Sequence, residues 1–571
     1  MSATDWLVIV LVLSGIIVYG LYKSRTTRNL DGYFLSNKSM PWWLVLLSIM
    51  GTQASAITFL SGPGQAYADG MRFVQYYFGI PLAMVVICIT FVPIFNRLKV
   101  YTAYEFLEKR FDSKTRSFTS FLFLLQRGLS TGISIYAPSI ILSALFGWDI
   151  FWTNIIMGGL LIIYTVSGGA KSVAYTQTIQ IFIIFIAMLL AGYTIVKLLP
   201  EHVGFTDALH LGGKLGRLNV ITTGKTGHGF DWNDRYNIWS GLIGGFFLAL
   251  SYFGTDQSQV GRYLTAQNNR ESRLGLLLNG LIKVPMQFFI LLIGVLVFAF
   301  YQFNNAPLSF NDSLITRMEH SSYKDSVLLL QSSYDSVNKM KQEKLARFSA
   351  EKNYGASSLT DSIRNLNTVS EHYRSEFKRM TAQATGKDPN DTNYIFLSFV
   401  KHYLPEGLKG LLIAIIFLAA WGSIAASLNS LAASTVVDFH RRVWGSSSAE
   451  SEYRTSRWYT FGWGLFSILI AQFSTRLGQS LIEAVNVLGS MFYGVILGIF
   501  LVAFYLKRIG GTATFIAAFT TEIFIVTLFV NEQTPYLKWL PNISFLWLNA
   551  IGALCVMALS ALIQSLLNAR R

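Results

Sequence analysis

Charged residues are scarce in this chain: of its 571 residues, only 13% are Asp, Glu, Lys or Arg, whereas 52% are hydrophobic. Soluble globular domains carry about 25% charged residues, so this scarcity excludes an ordinary soluble protein of this size. The alternation of polar and apolar residues that is typical of a membrane barrel is also absent. The composition therefore indicates a helical membrane protein whose outer surface contacts lipid.

Residues that bind metals or perform catalysis are few as well. The chain has seven histidines and two cysteines, and Cys88 and Cys555 both fall in apolar segments, where we expect buried free thiols. No paired nucleophile and base and no glycine-rich phosphate loop can be found. The sequence therefore predicts that the chain is not an enzyme and has no metal site built from His and Cys.

Long apolar runs occur along nearly the whole chain, from 6–22 to 543–567. Most are near or above the roughly 20 residues that a helix needs to cross a bilayer. The fold class that they predict is an all-α membrane protein of about 13 transmembrane helices. Because this number is odd, the two termini are expected on opposite sides of the membrane.

The net charge of +15 could suggest a nucleic-acid binder, because Lys and Arg neutralise phosphates. The basic residues are instead concentrated in alternate loops between the apolar runs, as the positive-inside rule requires. We therefore predict a multi-pass protein of the cell (inner) membrane, with the N-terminus outside and the C-terminus cytoplasmic. Its partners are a small-molecule solute and membrane lipid, with no nucleic acid, and the sequence identifies no protein partner.

Three membrane segments carry polar residues where apolar ones are expected. The second helix contains Gly, Pro, Ser, Thr and Gln over 51–64, and the seventh contains a similar cluster over 251–263. Helix breaks at matching places in two halves of a chain indicate a transporter binding site, although small residues also serve close helix packing. A third polar segment, 419–434, offers hydroxyl groups that could bind a monovalent cation or join helices by hydrogen bonds.

Four motifs in order resemble the sodium/solute symporter family, nearest its iodide, multivitamin and monocarboxylate branch. They are YEFLEKRF at 104–111, YTVSGGAKSVAYTQTIQ at 164–180, GTDQSQVGRYL at 254–264 and SIAASLNSLAASTVVDF at 423–439. The resemblance implies a LeuT-like core of two inverted five-helix repeats that works by alternating access.

The resemblance implies that the chain consists of seven segments. They are an N-terminal extra transmembrane helix and cytoplasmic loop (1–40), a first inverted repeat (41–198), an outer loop (199–238), the start of a second repeat (239–303), an extracytoplasmic helical insertion (304–393), the rest of the second repeat (394–505) and C-terminal transmembrane helices (506–571). Within the insertion, 323–352 and 358–384 are predicted to form helices of a solvated hairpin, with a lid or a partner-docking surface as the alternative.

The resemblance also implies a sodium site, with Na⁺ as the coupling ion. Its predicted residues lie on the first and eighth core helices: Ile49, Thr52, Ala419, Gly422 and Ser423. Gly422 departs from the family, which usually has Ser or Thr there, so Ser423 or a water must compensate. Where some members have an acid and two hydroxyls for a second sodium, this chain has Gln177, Ala425 and Ala426. We therefore expect at most one sodium ion, with Gln177 and Gln180 orienting the ninth membrane helix, which carries Ser423, by hydrogen bonds.

The residues that bind the solute in similar proteins fall on five positions of this chain. They are Gln53, Ala56, Gln75, Tyr252 and Asn486, of which Tyr252 is the expected aromatic gate. Ala249 replaces an Asn of sugar-carrying relatives, which argues against a sugar.

Ionisable side chains within the apolar runs are costly in lipid and indicate function by default. Arg127, Lys283 and Asp256 are possible charge partners of the solute, and Glu483 also lies within a run. The alternative for Arg127 and Lys283 is that their long side chains reach the membrane interface, where the charged ends contact water. Two intramembrane cations favour an anionic solute.

The predicted function is secondary active transport, namely sodium-coupled symport of a small organic solute that we expect to be anionic. Proton coupling through Asp256 or Glu483 and uniport by the same fold are the alternatives, followed by a transporter-like solute sensor. Sodium binding should raise the affinity for the solute, and by linkage the solute should raise the affinity for sodium.

Overall fold

The computed structural model describes residues 1–24, 36–98, 100–167, 170–227, 229–351, 357–386, 388–445, 448–476, 480–533 and 542–569. The predicted all-α class is confirmed, because helices make up nearly all of the regular structure. The described part contains a single pair of short antiparallel strands, β1 (Lys225–Thr226) and β2 (Gly229–Phe230), in the outer loop.

The helices of the first half follow one another with short connections. In chain order they are α1 (Ala3–Ser24), α2 (Trp42–Gln53), α3 (Ala56–Asp69), α4 (80–98), α5 (Glu105–Arg110), α6 (Ser113–Phe146), α7 (Ile150–Ser167) and α8 (Ala170–Lys197). A π-helical stretch, Ile87–Phe91, lies within α4.

The second half begins with a short outer helix and ends with two long membrane helices. In chain order the helices are α9 (Phe205–Lys214), α10 (240–255), α11 (Gln257–Tyr263), α12 (Asn269–Phe303), α13 (Asp312–Glu319), α14 (Lys324–Glu351), α15 (Ser357–Thr385), α16 (Ile395–Tyr403), α17 (408–444), α18 (Ala449–Phe473), α19 (Leu481–Tyr505), α20 (Gly511–Gln533) and α21 (Phe545–Ala569).

Within the described residues, nine helices are long and apolar enough to cross a membrane. Three shorter apolar helices occur in addition, over Trp42–Gln53, Ile150–Val166 and Ser240–Thr255. The first and third of these are the leading halves of broken helices. The number of about 13 membrane helices and the division into two inverted repeats remain predictions.

Both helix breaks lie where the polar clusters predict them. Between α2 and α3, Ala54 and Ser55 leave the helical conformation, with ψ angles of 73° and 168°. Between α10 and α11, Asp256 is extended, with a ψ of 119°, and its carboxylate caps α11 by accepting from the Ser258 N–H. Each break leaves backbone groups without an intrahelical partner, in the middle of the bundle.

Helix α17 lies at the centre of the bundle, and nearly all of its residues from Leu412 to Ser434 are buried. It contacts α1, α6 and α8, while α12 packs along α2 and α3. The carboxylate of Asp5 on α1 accepts hydrogen bonds from the backbone N–H groups of Gly407 and Gly410, at 2.8 and 3.1 Å. A buried carboxylate thus caps the N-terminus of α17 and joins the first helix to the core.

The insertion forms the predicted hairpin, since α14 and α15 pack against each other. It has a small apolar core of its own that includes Tyr334 and Phe377. At the end of the insertion, the Asn393 side-chain oxygen accepts hydrogen bonds from the Ser61 hydroxyl on α3 and the Leu481 N–H on α19. The insertion is therefore joined to two membrane helices, α3 and α19.

Candidate functional site

A cavity of about 130 Å³ lies beside the two helix breaks, among α2, α3, α6, α10, α12, α17 and α19. Seven of the predicted site residues line it: Thr52, Gln53, Arg127, Tyr252, Lys283, Ser423 and Asn486. The structure thus brings together residues from both broken helices and from both halves of the chain. Ala249 also lines the cavity and offers the solute a methyl group instead of an amide.

Other predicted residues lie outside the cavity lining. Ala56 is buried at the start of α3, directly after the break. The Gln75 amide bonds to the outer loop, donating to the Thr222 hydroxyl at 3.0 Å and to the Tyr236 carbonyl at 3.1 Å. Glu483 forms an ion pair with Arg235 at 2.6 Å, near the outer surface. In this conformation Gln75 and Glu483 stabilise the outer side of the bundle and do not face the cavity.

Two predicted charge partners are paired with each other. The Arg127 guanidinium donates hydrogen bonds to the Asp256 carboxylate and to the Tyr493 hydroxyl, and Tyr493 donates to the same carboxylate at 2.7 Å. Asp256 is fully buried, and the Arg127 guanidinium lies 5.4 Å from the centroid of the Tyr252 ring. The charge of Arg127 is therefore balanced by the protein itself, at the side of the cavity.

Lys283 differs from Arg127 because no acid balances its charge. Its side chain is buried on α12 and lines the cavity, and its ammonium lies 5.7 Å from the centroid of the Tyr77 ring. Within the described chain, no carboxylate lies within 4.0 Å of it and no hydrogen-bond acceptor contacts it. An unpaired buried charge costs several kcal/mol, so this position favours an anion in the cavity.

The predicted sodium ligands lie where α2 and α17 meet. The Ser423 hydroxyl donates to the Ala419 carbonyl at 2.9 Å, and the Thr52 hydroxyl donates to the Ser48 carbonyl at 2.8 Å. Ile49, Ala419 and Gly422 are buried beside them and can offer carbonyl oxygens only. Neutral hydroxyl and carbonyl oxygens are ligands that suit a hard monovalent cation.

Gln177 on α8 lies against the predicted sodium ligands of α2 and α17. Its amide accepts from the Ser48 hydroxyl at 3.0 Å and donates to the Thr52 hydroxyl at 3.3 Å and to the Gly422 carbonyl at 3.1 Å. The absence of a side chain at Gly51 permits this approach, because a Cβ there would lie 2.7 Å from the Gln177 Cβ. Gln177 thus bonds to α17, the ninth membrane helix, as predicted, whereas Gln180 makes no hydrogen bond to it.

Several residues that line the cavity were not predicted from the sequence. They include Tyr76, Tyr77, Gln126 and Tyr493. Tyr76 donates its hydroxyl proton to the Asn486 side-chain oxygen at 3.2 Å, which orients that predicted residue. Nothing in the sequence distinguishes these tyrosines from packing aromatics, whereas Gln126 beside Arg127 was a polar residue within an apolar run.

The family model described as "Sodium:solute symporter family" matches residues 33–329 and 368–520. The unmatched residues between these segments lie in the outer hairpin. The chain is 25% identical to a sodium-dependent multivitamin transporter of Oryctolagus cuniculus, over 87% of this chain and 66% of that protein. It is 24% identical to a sodium/sialic acid symporter of Aliivibrio fischeri, over 95% of this chain and 89% of that protein.

The chain is also 30% identical to the human sodium/iodide cotransporter, but over only 48% of this chain and 41% of that protein. The chain thus spans just under two thirds of the multivitamin transporter and less than half of the iodide cotransporter. A solved structure of a Na⁺-coupled sialic acid symporter, in a substrate-bound outward-open state, has the same fold. The two structures align with a TM-score of 0.74, and their sequences are 22% identical. The alignment covers 99% of this chain and 98% of the solved chain.

These matches confirm the resemblance that the four motifs indicate. The family model covers most of the chain and includes both helix breaks, the cavity and the predicted sodium ligands. Sodium as the coupling ion and symport as the activity follow from this membership, whereas the solute does not. The chain belongs to the sodium:solute symporter family.

Proposed function

We propose that this chain carries a small organic anion across the membrane together with one sodium ion, by alternating access. The observation that carries the proposal is the side chain of Lys283, which is buried at the cavity with no carboxylate among the described residues to pair with it. Because Arg127 is already paired with Asp256, Lys283 is the basic group of the cavity that remains to bind an anionic solute.

The shape and chemistry of the cavity favour an organic solute. Tyr76, Tyr77 and Tyr252 supply aromatic faces, while Gln53 and Asn486 supply amides that can donate to or accept from the solute. Mostly apolar pockets with a few fixed polar groups are typical of small-molecule sites. Sialic acid and iodide, which name two of the relatives, are anions at neutral pH, and this supports the charge that we infer.

Sodium would bind where α2 ends and α17 passes it, with the carbonyls of Ile49 and Ala419 and the hydroxyl of Ser423 as ligands. Thr52 and Ser423 lie both in this region and in the cavity lining. An ion there would fix the end of α2, and with it the position of Gln53 in the solute cavity. The two sites therefore share structural elements, and a free energy of coupling between them is expected.

One sodium ion per solute agrees with the chemistry of the neighbouring positions. Gln177 offers a neutral amide that is already engaged in three hydrogen bonds, and Ala425 and Ala426 have no hydroxyl. No carboxylate or hydroxyl at these positions is available to bind a second cation.

Tyr252 would close the cavity on one side. Its hydroxyl accepts a hydrogen bond from the Gln259 amide at 2.7 Å, on the other half of the same broken helix. A rotation of α11 relative to α10 at the Asp256 break would therefore move the ring.

We also propose that the protein lies in the inner membrane of the cell, with its N-terminus outside and its C-terminus in the cytoplasm. This orientation would place the loops that are rich in Lys and Arg on the cytoplasmic side.

A thermal-shift screen of the purified protein tests this proposal. Carboxylates such as sialic acid, lactate and pantothenate would be compared with galactose and with zwitterionic amino acids, each in sodium chloride and in choline chloride. A ligand that binds only the folded state raises the unfolding temperature. We expect shifts from carboxylates, in sodium chloride alone. A shift from a neutral sugar, or shifts of equal size in choline chloride, would contradict the proposal.

A further inference from the structure

The backbone of α17 at Gly422 is approached by the side chain of Gln180 on α8. An ideal Cβ atom on Gly422 would lie 2.7 Å from the Gln180 side-chain oxygen, which is closer than real Cβ atoms lie to oxygen atoms. The Gln180 oxygen thus occupies the space that a side chain at position 422 would need. Gly422 is the position in the proposed sodium site where the resemblance leads one to expect a hydroxyl ligand.

We propose that the side-chain oxygen of Gln180 is a sodium ligand, which supplies the oxygen that Gly422 lacks. This inference rests on the sodium site proposed above. A serine hydroxyl is one covalent bond away from its Cβ, so a hydroxyl at position 422 and the Gln180 oxygen would fall in the same small volume. An amide oxygen is neutral and hard, as a hydroxyl is, and suits the same ion.

The hydrogen bonding of Gln180 supports a ligand role. The side chain is buried, and its amide nitrogen has no hydrogen-bond partner in the described part of the chain. Its oxygen likewise accepts no hydrogen bond there, whereas Gln177, one helical turn earlier, is held by three hydrogen bonds. An amide oxygen that accepts no hydrogen bond from the protein can instead bind a cation. The Gln180 oxygen is therefore free to bind, whereas the Gln177 oxygen is not.

Sodium binding to the purified protein tests this role without knowledge of the solute. Radioactive sodium would be measured by scintillation proximity on the wild type, Gln180→Met, Gly422→Ser and the double variant. Methionine has a similar length but no oxygen, so Gln180→Met should weaken sodium binding about tenfold, as expected for one lost polar contact to an ion. Gly422→Ser should bind sodium independently of Gln180, because its hydroxyl displaces the flexible Gln180 side chain and takes its place.

The double variant makes the test specific. With Ser at position 422, the loss of the Gln180 oxygen should have no further effect, so the double variant should bind sodium as tightly as Gly422→Ser. Gln180→Glu keeps an oxygen and should also retain binding. If Gln180→Met weakens binding equally in both backgrounds, or not at all, the proposed ligand role is wrong.

Two controls exclude an indirect effect of the substitutions on sodium binding. Gln302→Met replaces a buried glutamine at the end of α12, whose side-chain oxygen has no partner among the described residues, and should leave sodium binding unchanged. Unfolding temperatures in choline chloride check that each variant is folded. If the wild type itself binds no sodium, the proposed sodium site fails, and this result differs from a failure of Gln180 alone.

Discussion

The Gln177 side chain donates a hydrogen bond to the carbonyl oxygen of Gly422, with 3.1 Å between the two atoms. Gln177 lies on α8 and Gly422 on α17, and the same amide also bonds to Ser48 and Thr52 on α2. One neutral side chain therefore joins three helices at the place where we propose that sodium binds. Its role can be examined separately from that of the ion.

Gln177→Leu should destabilise the protein, because it leaves the Gly422 carbonyl and the Ser48 and Thr52 hydroxyls with fewer partners. A buried polar group that loses its partner costs about 1–3 kcal/mol, and we expect a loss of this size in the free energy of unfolding. Denaturant unfolding in detergent would measure it. Gln302→Leu is the matched control and should cost less. Equal costs for the two variants would show that the three bonds of Gln177 are unimportant.

The uptake rate of the wild type should depend on sodium concentration as a hyperbola, because a single ion binds. A second site can be introduced by Gln177→Asp together with Ala425→Ser and Ala426→Ser, which adds a carboxylate and two hydroxyls. For this triple variant we expect a sigmoidal dependence in the same transport assay. A sigmoidal curve for the wild type would contradict the one-ion account.

Asp256→Asn should be strongly destabilising, since it leaves the buried guanidinium of Arg127 without its counterion. Breaking a buried ion pair in this way typically costs about 3–5 kcal/mol. The double variant Asp256→Asn with Arg127→Gln removes both charges and should recover part of the loss. Thermal unfolding of the three proteins would measure these differences, and a single variant no less stable than the double would refute the pairing.

The outer hairpin should become more stable between about pH 8 and pH 10. Burial lowers the pKa of Lys341 on α14 from 10.5 to about 8, so in this range the unfolded hairpin binds more protons than the folded one. Stability then rises with pH. Asp391 adds no change in this range: burial would raise its pKa, but Arg374 and Lys378 outweigh burial and lower it, so its contribution is lost only in acid.

Hydrogen exchange of α14 and α15 in the full protein would measure this dependence, with Lys341→Met as the reference at each pH to correct for the intrinsic exchange rate. We expect the protection of the wild type to approach that of Lys341→Met as the pH rises through this range. A constant difference between the two proteins would exclude Lys341 as the cause.

Much of the fold could be predicted because its signals are local. Gly, Ser, Thr and Gln in an apolar run indicated both breaks, at 54–55 and at Asp256. The polar composition of the insertion indicated two helices that the structure has over Lys324–Glu351 and Ser357–Thr385. The family could also be predicted, since its four motifs stand in order.

The site was only partly predictable, because pairing between helices leaves no local pattern. Arg127 was expected to favour an anionic solute and Asp256 was an alternative site for proton coupling, but the structure pairs them with each other. Tyr493, which completes that pair, resembles any packing tyrosine in the sequence. The approach of Gln180 to Gly422 depends on the distance between α8 and α17, which only the folded structure gives.

Sodium-driven uptake by Lys283 variants tests the central claim most directly. The carboxylate with the largest thermal shift would be radiolabelled and its uptake measured in proteoliposomes, with an inward sodium gradient and with equal sodium on both sides. The account predicts uptake that requires the gradient, is retained in part by Lys283→Arg and is lost in Lys283→Met, which still binds sodium. Uptake that does not depend on sodium, or full uptake by Lys283→Met, would contradict the account.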